Sequence, residues 1–522
     1  MYVTPVLVWD WMKACAVFLV IVLAGVWTSE LLSARDGEGA VLDIADRNQV
    51  FIDGRFLQRK EKVRIVVCPP IKTNEKCLVG RSWKDLQGYG NIMAVDHTFC
   101  GFNALSKDGV HWRRVKKGTE PEPDDVVGYI DGMSVVFKDS NDSPEKRYKL
   151  VNPKRGYIGS SADGTEWQEL ARNMFPGKAL YPRGMDSQNV IFYDARIKKY
   201  VAYVRVNRRY QTPPQRRDYF DKLSQRNYHE PGSYSLRNIG RCITDDLSSF
   251  PMPKVVFGPY ELVPHFGGVG VMDFYMLNVI SYDHAQDAYF LFSPRYLHYE
   301  DWFLSDDLSK YPLSGVGTLN TGPEDIGFAA SRDGIGWQRY QRKPWIRLGM
   351  EGTFDSSNMY PVRGMVVRER EIWMYYTGYD TLHGDVDFKQ RMKPVLSRVV
   401  LRKDGFTAVE ADYEGGQFTT QALRFQGDAL HLNIDTSALG LARVEIQDAA
   451  GQPIKGFALE DCDRIHTANT VDRVVTWRRG QSSVASLQRQ PVRLRFELRF
   501  GAKLYSFQFK PNVKNDNSPP KQ

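Results

Sequence analysis

Ser106-Lys107-Asp108-Gly109-Val110-His111-Trp112 decides the fold, because the same phrase keeps returning. It comes back as Ser161-Ala162-Asp163-Gly164-Thr165-Glu166-Trp167 and as Ser331-Arg332-Asp333-Gly334-Ile335-Gly336-Trp337. A worn copy is Thr244-Asp245-Asp246-Leu247-Ser248-Ser249-Phe250, and a shorter one is Lys403-Asp404-Gly405-Phe406. Gly accepts a positive φ and Asp bonds its own backbone, so Asp-Gly makes a tight turn. An aromatic three residues beyond the Gly can fold back over that turn. Each copy follows a strand-like run and reads as a strand–turn–strand corner. Five spaced copies of one corner predict a radial β-repeat and not a sandwich alone.

The chain has 522 residues, room for a large propeller and an appendage. Its formal charge of +8 is mild for that length. The charge suits an anionic substrate or a merely basic surface, and no Lys/Arg run is dense enough to imply nucleic acid. There is no Gly-rich phosphate loop followed by Lys, no GxSxG, no HExxH and no dinucleotide fingerprint. No CxxC pair or Cys/His cluster has metal-ligand spacing, so neither a metal nor a cofactor is expected. Cys68 and Cys77 flank Pro69-Pro70 and are candidates for a small disulfide in an oxidising compartment. Cys100, Cys242 and Cys462 read as buried thiols.

At the N-terminus, Lys13 precedes an apolar run from Ala14 to Trp27. About 14 residues is the size of a signal-peptide core and short for a membrane span. Residues 1–34 are therefore expected to be a signal peptide or an uncleaved N-terminal anchor, and the protein to be exported. It would be periplasmic, extracellular or membrane-anchored, with a membrane contact only if the segment stays uncleaved.

The corners divide residues 48–407 into five predicted blades. Their first strands begin near Asn91, Met133, Val190, Leu277 and Met359. Gln49–Arg55 and Val63–Val67 read as strands that cap or close the ring. Blades three to five carry long insertions at 206–236, 296–323 and 378–394, all placed over one face by strand direction. Long loops on one face of a rigid scaffold usually carry function. From 408 to 510 strands continue without the corner, and their alternation predicts a β-sandwich. The polar tail 511–522 is expected to be disordered. The expected fold class is all-β: a five-bladed β-propeller followed by a β-sandwich.

Carboxylates recur where these first strands begin: Asp131, Asp186, Asp273 and Asp355. In a propeller those positions converge on one end of the axis. Acids crowded there raise one another's pKa and divide into acid, base and stabiliser. Glycosidic cleavage needs such a pair, about 5 Å apart for retention or roughly 6.5–9.5 Å for inversion. Asp186, Asp273 and Asp355 are the catalytic candidates. Arg183, Arg205, Arg295, Asp131 and Glu324 are candidates for substrate binding, with Glu324 and Glu351 as further proton donors. Arginine forks suit carboxylates and sulfates. Tyr181, Tyr275, Tyr296, Trp302, Tyr360 and Tyr379 offer faces for sugars. A strand-start Asp can equally cap a turn, and the arginines can pair with the acids to hold the channel together.

With corners, inner-strand acids and a trailing sandwich together, the chain resembles the five-bladed propeller glycosidases, the fructosidase-like and arabinosidase/xylosidase-like glycoside hydrolases. Gly352-Thr353-Phe354-Asp355 with Trp373-Met374-Tyr375-Tyr376-Thr377-Gly378 looks like their last blade. The resemblance spans about residues 50–510 and implies an exported hydrolase acting on a poly- or oligosaccharide. It departs from those families in lacking Asn-Asp-Pro-Asn-Gly, Arg-Asp-Pro and Glu-Cys, so it carries over no catalytic triad. A carbohydrate-binding propeller without catalysis, or an interaction scaffold, remains the alternative at this point.

Overall fold

A computed structural model describes residues 41–511 apart from 83–85, 87–89, 95–103, 116–125, 130–133, 153–154, 165, 176–186, 212–232, 259–262, 266–267, 271, 298–321, 341–342 and 384–392. The expected leader, Asp131, Arg183, Asp186, Tyr181 and Trp302 lie outside the described residues. The described chain is all-β, its helical turns being short 3-10 turns such as Gly54–Phe56. No described helix is long and apolar enough to cross a membrane.

The corner phrase folds as its chemistry dictates. In the first copy Asp108 Oδ1 accepts from the backbone N–H groups of Val110 and His111, both at 2.8 Å. The Ser106 hydroxyl accepts from Gly109 N at 2.8 Å, and the Trp112 indole folds back to donate to Gly109 O at 3.2 Å. The third copy repeats this, with Ile335 and Gly336 donating to Asp333 at 2.8 Å. Gly109, Gly164 and Gly334 adopt φ of 71°, 78° and 73°, the left-handed region that favours glycine. The short copy differs: there Asp404 itself takes φ 58° and accepts from the Tyr282 hydroxyl at 2.6 Å.

Two four-stranded antiparallel meanders stand between corners. One is Val135–Lys138, Tyr148–Asn152, Tyr157–Ser161 and Gln168–Arg172. The other is Val190–Asp194, Lys199–Gln211, Ser233–Thr244 and Lys254–Phe257. In a third unit Met272–Phe274 and Asn278–Ser281 both pair with Tyr289–Leu297, which pairs with Glu324–Ser331. In the last, Asn358–Val367, Glu371–Tyr379 and Val395–Arg402 are joined on the outside by Ile71–Lys72 and Leu78–Val79. An early piece of chain thus completes the final repeat.

The first repeat departs from simple sequential strand order. Val126–Tyr129 lies between Asn91–Ala94 and Ala104–Ser106 and is antiparallel to both. No tight-turn pair separates the two outer strands in sequence, and a returning segment fills the gap instead.

The first strands of the repeats are tied to one another by buried amides. Gln188 Nε2 donates to Gly90 O at 2.9 Å and Asn91 Nδ2 to Ser134 O at 3.0 Å. Asn278 Nδ2 donates to Val362 O, and Leu277 N to Gln188 O, both at 3.3 Å. Arg363 N closes the circuit on Gly90 O at 2.9 Å. Farther out, a tyrosine of one repeat donates to an aspartate of the previous one. Tyr200 reaches Asp139 at 2.8 Å, and Tyr289 reaches Asp194. Buried polar groups must be paired, so these amides and phenols fix the neighbours' positions as well as joining them.

Beyond residue 406 the strands form two further sheets around one apolar core, which includes Phe418, Leu432, Phe496 and Phe507. The early strands belong here, not to the ring. Val63–Val67 pairs with Thr407–Ala411, Arg59–Glu61 with Gly416–Thr419, Gln49–Val50 with Lys503–Lys510, and Leu42–Ala45 with Leu423–Phe425. The apolar residues explain the placement: Phe51 and Phe56 insert into that core, 5.8 and 5.2 Å from the Phe507 ring. The ring-closing role expected of 49–67 falls instead to 71–79.

The proposed Cys68–Cys77 bridge is absent, and both thiols are free. Cys77 packs in the core of the last repeat with Trp112 and Leu396. Burial pushes its thiol up to about 12 and that of Cys68 up to about 11.

Candidate active site

One transverse row of residues crosses neighbouring strands near the start of Asn358–Val367. Asp273 pairs with Tyr296, Tyr296 with Glu324, Glu324 with Asn358, and Asn358 with Tyr379. Directly opposed residues on antiparallel strands point to the same face, so Asp273, Tyr296 and Glu324 share one. All five residues of the row are buried.

His383 completes the cluster. Its backbone exchanges two hydrogen bonds of 3.1 Å with Gly322, just ahead of Glu324. Only glycine permits this, because a Cβ on residue 322 would stand 1.8 Å from Leu297 O. The His383 ring then lies 4.7 Å from Tyr275 and 5.0 Å from Tyr296, edge to face. Its Nδ1 is 3.6 Å from Glu324 Oε1 and 3.1 Å from the Tyr360 hydroxyl. Both neighbours of the ring therefore face Nδ1. Tyr275 and His383 are the partly exposed members of the group.

Asp273 is held differently. Arg237 Nη1 meets Asp273 Oδ2 at 2.8 Å, and the Arg237 backbone N–H reaches the same oxygen at 3.3 Å. The guanidinium lies over Tyr275 and Tyr296, 5.0 and 5.5 Å from their centroids. Burial opposes the Arg237 charge, but Asp273 and the tyrosines more than offset it and raise its pKa. The pair is therefore a fixed positive and negative couple under an aromatic roof.

The other expected residues are placed elsewhere. Asp355 is buried against Lys72 Nζ, the Tyr376 hydroxyl at 2.8 Å and the Thr353 hydroxyl at 3.0 Å. Tyr376 and Tyr379 are an odd number of residues apart, so they point to opposite faces of their strand. Asp355 therefore sits across the sheet from the row, and its contacts are those of a structural anchor. The Arg295 fork closes on Asp325 at 2.6 and 2.7 Å, again on the face away from Glu324. Arg205 is buried, with Nε donating to Asn207 at 3.2 Å. Glu351 is exposed in a turn. Of the sequence candidates, the described structure brings together Asp273 and Glu324, with Tyr275, Tyr296, Tyr360 and Tyr379 around them. Sequence reading missed Arg237 and His383. Arg237 stands one position past the end assigned to the first insertion, and His383 lies inside the third.

No group of three metal-ligating side chains occurs among the described residues. No protein-family model matches the chain, and a comparison with curated proteins finds no match. Solved structures similar to it include a protein described as a glycoside hydrolase, 11% identical, covering 64% of this chain and 92% of its own, with a TM-score of 0.34. An N-acetylgalactosamine deacetylase from F. plautii in complex with blood group B trisaccharide is 12% identical and covers 70% and 97%, with a TM-score of 0.33. An alpha-L-arabinanase from Penicillium chrysogenum complexed with arabinobiose is 11% identical and covers 65% and 98%, with a TM-score of 0.29.

Proposed function

We propose that this protein is an exported glycoside hydrolase of five-bladed propeller architecture with a C-terminal sandwich. It would act on a poly- or oligosaccharide at the row of Asp273 and Glu324. The observation that carries this reading is the row itself: two carboxylates on one face, separated by a single strand, beneath aromatic rings. Two strand spacings of about 4.8 Å put their Cα atoms roughly 10 Å apart, with Tyr296 on the strand between them. In this mechanism Glu324 works through His383, whose Nε2 delivers the proton to the leaving oxygen. Asp273, paired with Arg237, draws a proton from the attacking water. Tyr275 offers its face to the sugar.

The second reading, a carbohydrate-binding propeller without catalysis, is favoured by the Asp273–Arg237 pair, since a carboxylate already bonded to a guanidinium is a weaker base. A glycan panel that includes sulfated and uronic-acid polymers separates the two. Reducing-end release by wild type, lost in Glu324→Gln and Asp273→Asn, is the expected result. Binding without release on any glycan establishes the second reading. Release undiminished in both variants removes the site assignment. Recovering the secreted chain and sequencing its N-terminus tests export, with a new terminus near residue 35 expected for a cleaved leader.

A further inference from the structure

The strand Asn358–Val367 begins in the row and runs toward the other end of the repeats. Arg363 stands five residues along it, roughly 16 Å away at about 3.3 Å per residue. A cavity of about 290 Å³ opens beside it, walled by Phe137, Tyr148, Met365 and Ile92. Its described lining contains two cations, Arg363 and Lys138, and no carboxylate.

The backbone is shaped to bring Arg363 here. Its N–H is tied to Gly90 O at 2.9 Å, and the strand bulges between Val362 and Val366. Gly364 takes φ 118°, with Ile92 O only 1.8 Å from where a Cβ would be. The guanidinium spends Nη1 on Val136 O at 3.3 Å. Its Nε is buried and has no hydrogen-bond acceptor among the described residues. Burial alone pulls the group down to about 10, with no acid acting in the other direction. A guanidinium deep in a fold carries a large desolvation cost unless a negative charge answers it. Elsewhere Arg237, Arg295, Arg332 and Arg398 each have a carboxylate within 3.1 Å, whereas Arg402, also without one, is answered by four amide and carbonyl oxygens.

We propose that this cavity is an anion site, taking a small tetrahedral oxyanion of the sulfate or phosphate class on the guanidinium of Arg363, with Lys138 at its rim. A guanidinium carries paired N–H groups at the spacing of two oxyanion oxygens, a fit that a lysine or a neutral amide cannot reproduce. The site is separate from the Asp273–Glu324 row and does not depend on what that row does. The cavity is lined from strands of several repeats, including Asn91, Val136 and Arg363, so an anion neutralising Arg363 there acts on stability.

The test uses the full chain, with sulfate and phosphate as probes at constant ionic strength set by sodium chloride. Expected for wild type is a saturable rise in Tm of several degrees with either probe and about one labelled sulfate bound per chain in equilibrium dialysis. Arg363→Gln should lose the saturable response, and Lys138→Gln should weaken it several-fold. Sulfate also stabilises proteins non-specifically, but that effect is linear and common to all variants. A linear response shared by wild type and Arg363→Gln overturns the proposal. If Arg363→Gln does not fold, the wild-type dialysis decides alone, and no bound sulfate there overturns it equally.

Discussion

Glu324 and His383 are within 3.6 Å because a glycine two residues before the acid lets the histidine's backbone dock. Proton transfer by a positioned group is worth about 10²–10⁴ in rate, so Glu324→Gln and His383→Ala should each lower kcat by that order with little change in KM. Combining them should cost little more than either alone, because one relay is removed once; a multiplicative loss argues against the relay. Tyr360→Phe removes one partner of His383 Nδ1, and a loss of about tenfold is expected. Arg237→Met is different in kind. It strands Asp273 in a buried site and should destabilise the fold by about 3 kcal/mol, read as a lower denaturation midpoint, besides abolishing activity. Asp273 and Glu324 were legible in the sequence because one sits at the start of a repeat's first strand and the other just before its third. Their partners were not: His383 arrives from an insertion and Arg237 stands on Ser233–Thr244 just past one, where no repeated phrase marks a residue as facing a neighbour.

The corners were the most legible elements because everything that makes them is local. Ser, Asp, Gly and Trp bond within seven residues, so the phrase carries its own structure. What the phrase did not reveal is that the corners also join repeats. Tyr203 donates to Gly334 O and Tyr375 to Gly109 O, both at 2.9 Å. A Cβ on Gly334 would stand 2.2 Å from the Tyr203 oxygen, in addition to the strain of its positive φ. Gly334→Ala should therefore cost about 2–3 kcal/mol by urea unfolding, the sum of backbone strain and the displaced phenol. Gly352→Ala is the control: its φ is 82°, but nothing lies within 4 Å, so only the backbone cost of about 1 kcal/mol is expected. Equal costs at the two positions would show that the tyrosine contact contributes nothing. Strand order in the first repeat was illegible for the opposite reason, since Val126–Tyr129 enters from a distance and no local residue announces its neighbours.

At the scale of the molecule, the third corner reaches across to the early chain. Arg332 donates to Asp53 through two nitrogens at 3.0 Å, to Asp287 at 2.8 Å and to Val50 O at 2.8 Å. Arg55 meets Asp287 at 2.5 Å. Asp53 follows strands paired into the C-terminal sheets, and Arg332 and Asp287 belong to a repeat, so this network fastens one region to the other. Sequence reading placed the early strands in the ring because alternation shows that a strand has a buried face but not which sheet it pairs with. The network also sets an acid limit. Burial works against the Asp53 charge, but Arg332 and Arg55 outweigh it and hold its pKa below the ordinary 3.8. A carboxylate depressed in the folded state binds its proton more readily when unfolded. Its stabilisation is therefore fully present above 3.8 and is lost as pH falls through the lower folded value. Asp53→Asn should be less stable than wild type by about 2 kcal/mol at neutral pH, a partly exposed network being worth less than a fully buried one. The gap should narrow progressively below pH 3.8, because protonation then does to wild type what the substitution has already done. Denaturant midpoints of the two proteins across that range measure it, and a gap that stays constant with pH would mean that Asp53 acts through packing and not through its charge.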